Sequence, residues 1–255
     1  MGYASGVHAQ LRVVAIAPVL NEERKIGEVC RRTPRDVVDE LIVVDDGSTD
    51  RSATVAASGG ATVLALPEKV GVGAALRIGY QYAIDKEFDV AVVMAGNNKD
   101  APEEIPRLLE PIASGQADLV QGSRYLESNA DLGAMPTYRR IATRVHPMLF
   151  SVVAGQRMTD STNGFRAIRV SALLDPRLDI SSPGLDEYEL EPYLLLRAIK
   201  SGYRVREVPV TKLYPQRQLG QTKMKPLTGW WSMLRPLAYG AIATAPRART
   251  ARRAS

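Results

Sequence analysis

The chain is poor in the residues that build covalent or metal-held scaffolds. A single cysteine, Cys30, excludes an intrachain disulfide. That fits a reducing, cytoplasmic compartment, where thiols stay unpaired. The two histidines, His8 and His146, are too isolated in sequence to suggest a shared metal. No apolar run approaches the ~18 residues needed to span a bilayer; the best candidate, "PLAYGAIATAP", falls short. The opening "MGYASGVHAQ" has neither a charged start nor an apolar core, so no secretion signal is expected there. Aromatic residues make up only 6% of the chain and do not alternate with basic ones. This removes the usual stacking platform for nucleic acid, which is not an expected partner.

What is present looks like an ordinary globular chain. At 45% hydrophobic and 24% charged it has the composition of a soluble domain. Much of its net charge of +5 comes from the end, "RARTARRAS". Residues 246–255 are therefore expected to form a disordered basic tail, with attraction to an anionic surface as the other reading.

Apolar runs alternate with helical spacing. "RVVAIA", "ELIVVDD", "ATVLAL", "DVAVVMA" and "ADLVQGS" read as buried strands. Between them, "NEERKIGEVCRRT", "RSATVAASGG", "VGVGAALRIGYQYAID" and "PEEIPRLLEPIASG" read as helices. This alternation predicts a doubly wound, mostly parallel α/β sheet with ligands beyond the strands' carboxyl ends. Later come a helix near 137–154, another near 187–201 and the strand "YRVREVPV". The expected organisation is one catalytic domain over 10–220, an amphipathic interfacial or dimer-contact extension over 221–245, and the tail.

Three stretches sit at strand ends: "APVLNEE", "VVDDGSTD" and "MAGNNKD". Asp45 and Asp46 could accept hydrogen bonds from a ribose or base, or simply shape a turn. Gly71 and Gly73 could open a dinucleotide fingerprint, but Leu76 replaces its third glycine and the run follows the third strand.

Together, "APVLNEE" and "VVDDGSTD" resemble the nucleotide-binding half of family 2 glycosyltransferases, which have the GT-A fold. "GVGAALRIGY", "GSRY", the arginine-bearing helix, "DSTNGFRAIR" and "EVPV" are similar to the polyprenyl-phosphate (dolichol-phosphate) sugar synthase branch. The likeness spans roughly residues 12–235. It implies an α/β GT-A fold with a C-terminal helical extension. It also implies an inverting transferase moving a hexosyl or N-acetylhexosaminyl group from a nucleotide-diphosphate sugar to a polyprenyl phosphate. Other readings are a soluble transferase acting on a small-molecule hydroxyl, or a sugar-nucleotide-binding protein without activity. Ala17, Pro18, Asn21, Glu22, Asp45, Asp46, Gly71, Gly73 and Asn97 are the implied nucleotide-sugar contacts.

The family usually carries Asp-x-Asp where this chain has Ala95 and Asn97, with Lys99 two residues on. The resemblance implies Mg²⁺ or Mn²⁺, here through Asn97, the diphosphate oxygens, water and Asp100 or Asp46; the alternative is metal independence, with Lys99 in place of the cation. Arg124, Arg139, Arg140 and Arg166 match acceptor-phosphate positions, and arginine suits phosphate through paired hydrogen bonds. Asp160 matches an acidic position near the acceptor, so Asp160, Lys99 and Arg124 are the candidate catalytic residues. "LDEYELE" adds Asp186, Glu187, Glu189 and Glu191. Tryptophans beside Lys223, Lys225 and Arg235 suit a membrane headgroup zone, giving peripheral contact at the inner face; a homodimer contact is the other reading.

Overall fold

The structure is a computed structural model that describes residues 11–127, 135–213 and 231–238. β1 (Val13–Val19) and β2 (Glu40–Asp45) are apolar on both faces and almost wholly buried. Such strands belong inside a covered sheet, where helical crossovers give parallel pairing. β1 pairs in parallel with β2 and with β4 (Val90–Val93), and β2 with β3 (Thr62–Ala65). The crossovers are α1 (Glu23–Arg32), α2 (Ser52–Ser58) and α3 (Val72–Asp85). A 3₁₀ turn at Pro102–Glu104 leads into α4 (Ile105–Ala113) and then β5 (Leu119–Ser123).

The period-two alternation of each strand sorts its side chains into two cores. On β1, Val14 and Ile16 join one apolar cluster, while Val13, Ala15 and Ala17 join the other. α1 and α4 cover the second with Ile26, Val29, Leu108 and Ile112. α3 and α7 (Leu190–Lys200) cover the first with Leu76, Tyr80, Leu194 and Leu195.

The sheet has seven strands in the order β3-β2-β1-β4-β6-β5-β7, and β7 (Val205–Pro209) pairs in parallel with β5. The periodicity of "DSTNGFRAIR" gives no strand, yet Arg166–Arg169 forms β6, antiparallel to both β4 and β5. Arg166 lies opposite Val93 and Gln121. The segment before β6, residues 159–165, therefore arrives at the carboxyl ends of β4 and β5. The short α6 (Val170–Leu173) follows.

α5 (Thr137–Ala154) buries Thr143, His146, Pro147 and Phe150. Its opposite face exposes Tyr138, Ile141, Val145, Met148, Leu149 and Val152, the last 83% exposed. Their spacing makes one continuous apolar stripe. No helix of the described residues is long and apolar enough to cross a membrane. Residues 231–238 are helical; the rest of the expected extension, with Lys223, Lys225 and Trp230, and the basic tail lie outside the described residues.

Candidate active site

The carboxyl ends of β1, β4 and β5 open onto a cavity of about 560 Å³. Two loops brace one another beside it. Asn21 takes a left-handed backbone (φ 52°). Its N–H donates to Ser48 Oγ (2.8 Å) and its Oδ1 accepts the Thr49 N–H (2.8 Å). The Glu22 N–H donates to Ser52 Oγ (2.7 Å), and Asp45 Oδ1 accepts the Ser48 N–H (2.9 Å). Ala17, Asn21 and Asp45 thus hold the frame and stand outside the lining, while Pro18, Glu22 and Asp46 line the cavity. Asp46 accepts the Val70 N–H (2.7 Å) and, more loosely, the Gly71 N–H (3.2 Å). A carboxylate has about four acceptor sites, so capacity remains for a ligand.

The two glycines expected at the nucleotide pack closely against the 185–187 segment. The N–H groups of Gly73 and Ala74 donate to the Asp186 carbonyl (2.7 and 3.1 Å). Two of the orphan donors at the start of α3 are thus filled by the chain itself. A Cβ on Gly73 would collide with the Leu185 carbonyl, and Gly71 has φ 105°. Neither glycine lines the cavity.

At the end of β4, the cavity wall is Met94, Ala95, Gly96, Asn97 and Lys99. Asp100 is turned inward and only 1% exposed. One of its oxygens accepts the Ala95 N–H (2.7 Å), the other the Lys212 ammonium (2.7 Å). Asn97 Oδ1 accepts the Lys99 N–H (3.3 Å). Hard divalent ions need several oxygen ligands. Among the described residues no three His, Cys, Asp or Glu side chains come together as such a site. Asp100 is thus engaged by the Ala95 N–H and the Lys212 ammonium, and the Asn97 amide is the side-chain oxygen that this loop turns to the cavity. Lys99 is instead a cavity group. Burial pushes its ammonium down to about 8, helped by the nearby charges of Arg139, Lys212 and Lys25.

On the far side, β5 and the segment before β6 bring Arg124 and Asp160 together. The guanidinium makes two parallel bonds to the carboxylate, Nε to Oδ2 (2.6 Å) and Nη2 to Oδ1 (2.8 Å). Nη2 also reaches Thr162 Oγ1 (2.6 Å). Asp160 is fully buried and outside the lining, whereas Arg124 lines the cavity. Burial alone would raise the Asp160 pKa, but the charge and hydrogen bonds of Arg124 outweigh it and hold the carboxyl below its ordinary value. A carboxylate so engaged positions its arginine and is poorly suited to take a proton from an acceptor. The Asp160 N–H donates in turn to Glu207 Oε1 on β7 (2.8 Å).

The other arginines divide. Arg139 lines the cavity; Arg140 is exposed outside it. Arg166 is fully buried and bonds the carbonyls of Glu191 and Asn163 (both 2.8 Å), so it staples β6 to α7 and does not face an acceptor. Glu187, Glu189 and Glu191 do line the cavity. So do Thr162 and Tyr188, which lie within "DSTNGFRAIR" and "LDEYELE" without having been singled out, and Lys25 and Lys212, which no motif contains. For Lys25 a signal existed: it follows Glu22 by three residues on a helix, hence faces the same way, and the two are bonded (2.9 Å). Nothing in the sequence around Lys212 gives a similar sign.

Comparison with known proteins agrees with this geometry. The chain is 33% identical over 222 residues to the undecaprenyl-phosphate mannosyltransferase of Micrococcus luteus, covering 84% of this chain and 88% of the relative. It is 30% identical over 251 residues to the polyprenol monophosphomannose synthase of Mycolicibacterium smegmatis, covering 93% and 90%. Its fold matches glucosyl-3-phosphoglycerate synthase from Mycobacterium tuberculosis, solved with UDP (TM-score 0.71, 20% identity, 97% of this chain and 87% of that one). The same synthase has been solved with Mn²⁺, UDP and phosphoglyceric acid (TM-score 0.68, 21% identity, 97% and 85%). The glycosyl transferase family 2 profile matches residues 14–175, and with both halves of the site built on that frame, the chain belongs to glycosyl transferase family 2.

Proposed function

We propose that the protein is an inverting glycosyltransferase that moves a sugar from a nucleotide-diphosphate donor to the phosphate of a polyprenyl phosphate. Pro18, Glu22 and Asp46 would face the nucleotide; Asn97 and Lys99 would face the diphosphate; Arg124 and Arg139 would face the acceptor. A phosphate oxygen attacks the anomeric carbon from the side opposite the diphosphate. The bond from that carbon to the diphosphate oxygen breaks, and its electron pair leaves with the nucleoside diphosphate. The transition state has oxocarbenium character.

The observation that carries this reading is the Arg124–Asp160 pair. A hydroxyl acceptor must lose a proton and benefits from a base. An ionised phosphate has none to lose and needs orientation. Asp160, matched to the base position, is buried beneath Arg124 and supplies orientation only. Two relatives are named for undecaprenyl-phosphate and polyprenol substrates, which supports the same acceptor class.

The α5 stripe supports contact with a lipid surface. α5 carries Arg139, Arg140 and Arg144 and no acidic residue, so its charge suits an anionic headgroup layer. Arg139 reaches the cavity from this helix, and exposed Trp231 lines the same cavity. His146 Nε2 bonds the Met233 carbonyl (3.0 Å), tying α5 to the helical residues 231–238. Docking α5 on a bilayer would bring the cavity mouth to the lipid phosphate without a membrane-spanning segment.

The test is a transfer assay with radiolabelled UDP- and GDP-sugars, offered undecaprenyl phosphate in anionic vesicles or soluble hydroxyl acceptors. Label in the lipid phase, with equimolar nucleoside diphosphate released, is the expected result. Label on soluble hydroxyls alone would refute the acceptor assignment. Donor binding without any product would leave a binding protein.

A further inference from the structure

The loop after β4 is built to present a cation and to withhold carboxylates. Ala95 contributes only its backbone at the strand end. Asp100 is spent on the Ala95 N–H and the Lys212 ammonium, 2.7 Å each. Glu22, across the cavity, is bonded to Lys25 at 2.9 Å. The loop itself is pinned. Asn98 takes a left-handed backbone (φ 57°), and its Oδ1 accepts from Arg32 Nη1 (2.8 Å). The Lys99 carbonyl accepts the Leu213 N–H (2.7 Å), and Asp100 bridges to Lys212 as a single β-pair. These bonds fix the backbone on both sides of Lys99 while its side chain lines the cavity. Arg139 and Lys212 line it too, within electrostatic reach of Lys99. At this strand end a divalent ion would find one side-chain amide oxygen with Lys99, Arg139 and Lys212 near it, while the cavity's carboxylates, Glu22, Asp46, Glu187, Glu189 and Glu191, come from other elements.

We propose that the protein handles the diphosphate of its donor without a divalent ion, with the Lys99 ammonium as the principal positive group. This rests on the sugar-nucleotide reading given above. When the bond from the anomeric carbon to the diphosphate oxygen breaks, the electron pair stays on that oxygen. Lys99 meets the new charge by donating a hydrogen bond from an ammonium that is already in place, and no proton need be transferred. Preorganised charge of this kind is worth most where water is excluded. A lysine can play the part because its ammonium acts on phosphate as a compact point charge. Arg124 is not needed for it, being held by Asp160 for the acceptor side.

The experiment is calorimetric titration of the full-length protein with UDP and GDP, in EDTA and again with Mg²⁺ or Mn²⁺. The expected result is a dissociation constant for the preferred nucleotide that changes less than threefold between EDTA and metal. Lys99→Ala should weaken that binding at least tenfold in EDTA, and Lys99→Arg should restore most of it. Melting of the ligand-free variants controls for folding. In the double variant Ala95→Asp/Lys99→Gln, which returns a carboxylate and removes the cation, binding should become metal-responsive. Nucleotide binding that disappears in EDTA for the unaltered protein would overturn the inference and leave the donor reading intact. Unchanged binding by well-folded Lys99→Ala would also overturn it. No binding of either nucleotide under any condition would overturn the donor reading, and this inference with it.

Discussion

Replacing Asp160 by asparagine would remove one charge from a fully buried pair while keeping the shape. Arg124, its side chain 2% exposed, would then lose the Asp160 countercharge in the interior. Breaking such a pair from one side costs about 3–5 kcal/mol, a large part of the 5–15 kcal/mol that holds ordinary domains together. For a chain of this size about 3 kcal/mol lowers the melting temperature by roughly 6–12 °C. The same change should raise KM for the acceptor, because the guanidinium loses the carboxylate that aims it. It should leave nucleotide affinity nearly unaltered, since no nucleotide-side residue touches the pair. Asp160 is held below the ordinary carboxylate pKa, so its contribution is present above the unfolded value and lost as pH falls through the folded one. The variant should therefore lose stability at neutral pH and converge on the parent in acid. Urea unfolding over a pH series, with steady-state kinetics beside it, reads all of this. A variant of unchanged stability whose kcat fell 10²–10⁴-fold, with the acid limb of the pH–rate profile gone, would instead have lost a general base. That result would refute the positioning role and favour a hydroxyl acceptor.

Three further outcomes are expected. Ile141→Ser, Met148→Ser and Val152→Ser together should cut binding to anionic vesicles about 100-fold, taking ~1 kcal/mol for each partly buried side chain; unchanged vesicle binding with a shift from dimer to monomer would make the stripe a contact between copies. His146 is neutral in the folded protein, because burial disfavours the imidazolium more than the Met233 carbonyl and Asp160 favour it, which sets its pKa below the ordinary 6.5. The unfolded chain takes up the proton first, so stability should be full above pH 6.5 and decline below it, and His146→Gln should flatten that decline in urea melts. Gly73→Ala should destabilise the fold by about 1–3 kcal/mol through its clash with the Leu185 carbonyl, with nucleotide affinity little changed in the folded fraction; a purely functional loss would return Gly73 to the nucleotide site.

The parts of this protein that are legible in its sequence are those where one local signal has one cause. The strands at 13–19 and 40–45 are written as unbroken apolar runs, because both of their faces are covered. β6 is four residues with arginine at each end, and its burial between β4 and β5 is a tertiary fact that no window of sequence contains. The site divides along the same line. "APVLNEE" and "DDGSTD" announce a nucleotide loop, but composition and order do not separate a residue that touches a ligand from one that holds the loop. Asn21 binds Thr49, Asp45 binds Ser48, and only Glu22 and Asp46 of these acceptors turn inward. Both roles require short polar side chains near a turn, so they select the same residue types. At "MAGNNKD" the ambiguity runs the other way. The sequence leaves Asp100 available as a ligand; the fold delivers Lys212 to it from 112 residues away. Once that pair forms, the one carboxylate in the loop is neutralised, and Lys99 is the charged side chain that the loop presents to the cavity. A partner far along the chain thus decides which charge this strand end shows, and no window around the motif contains it.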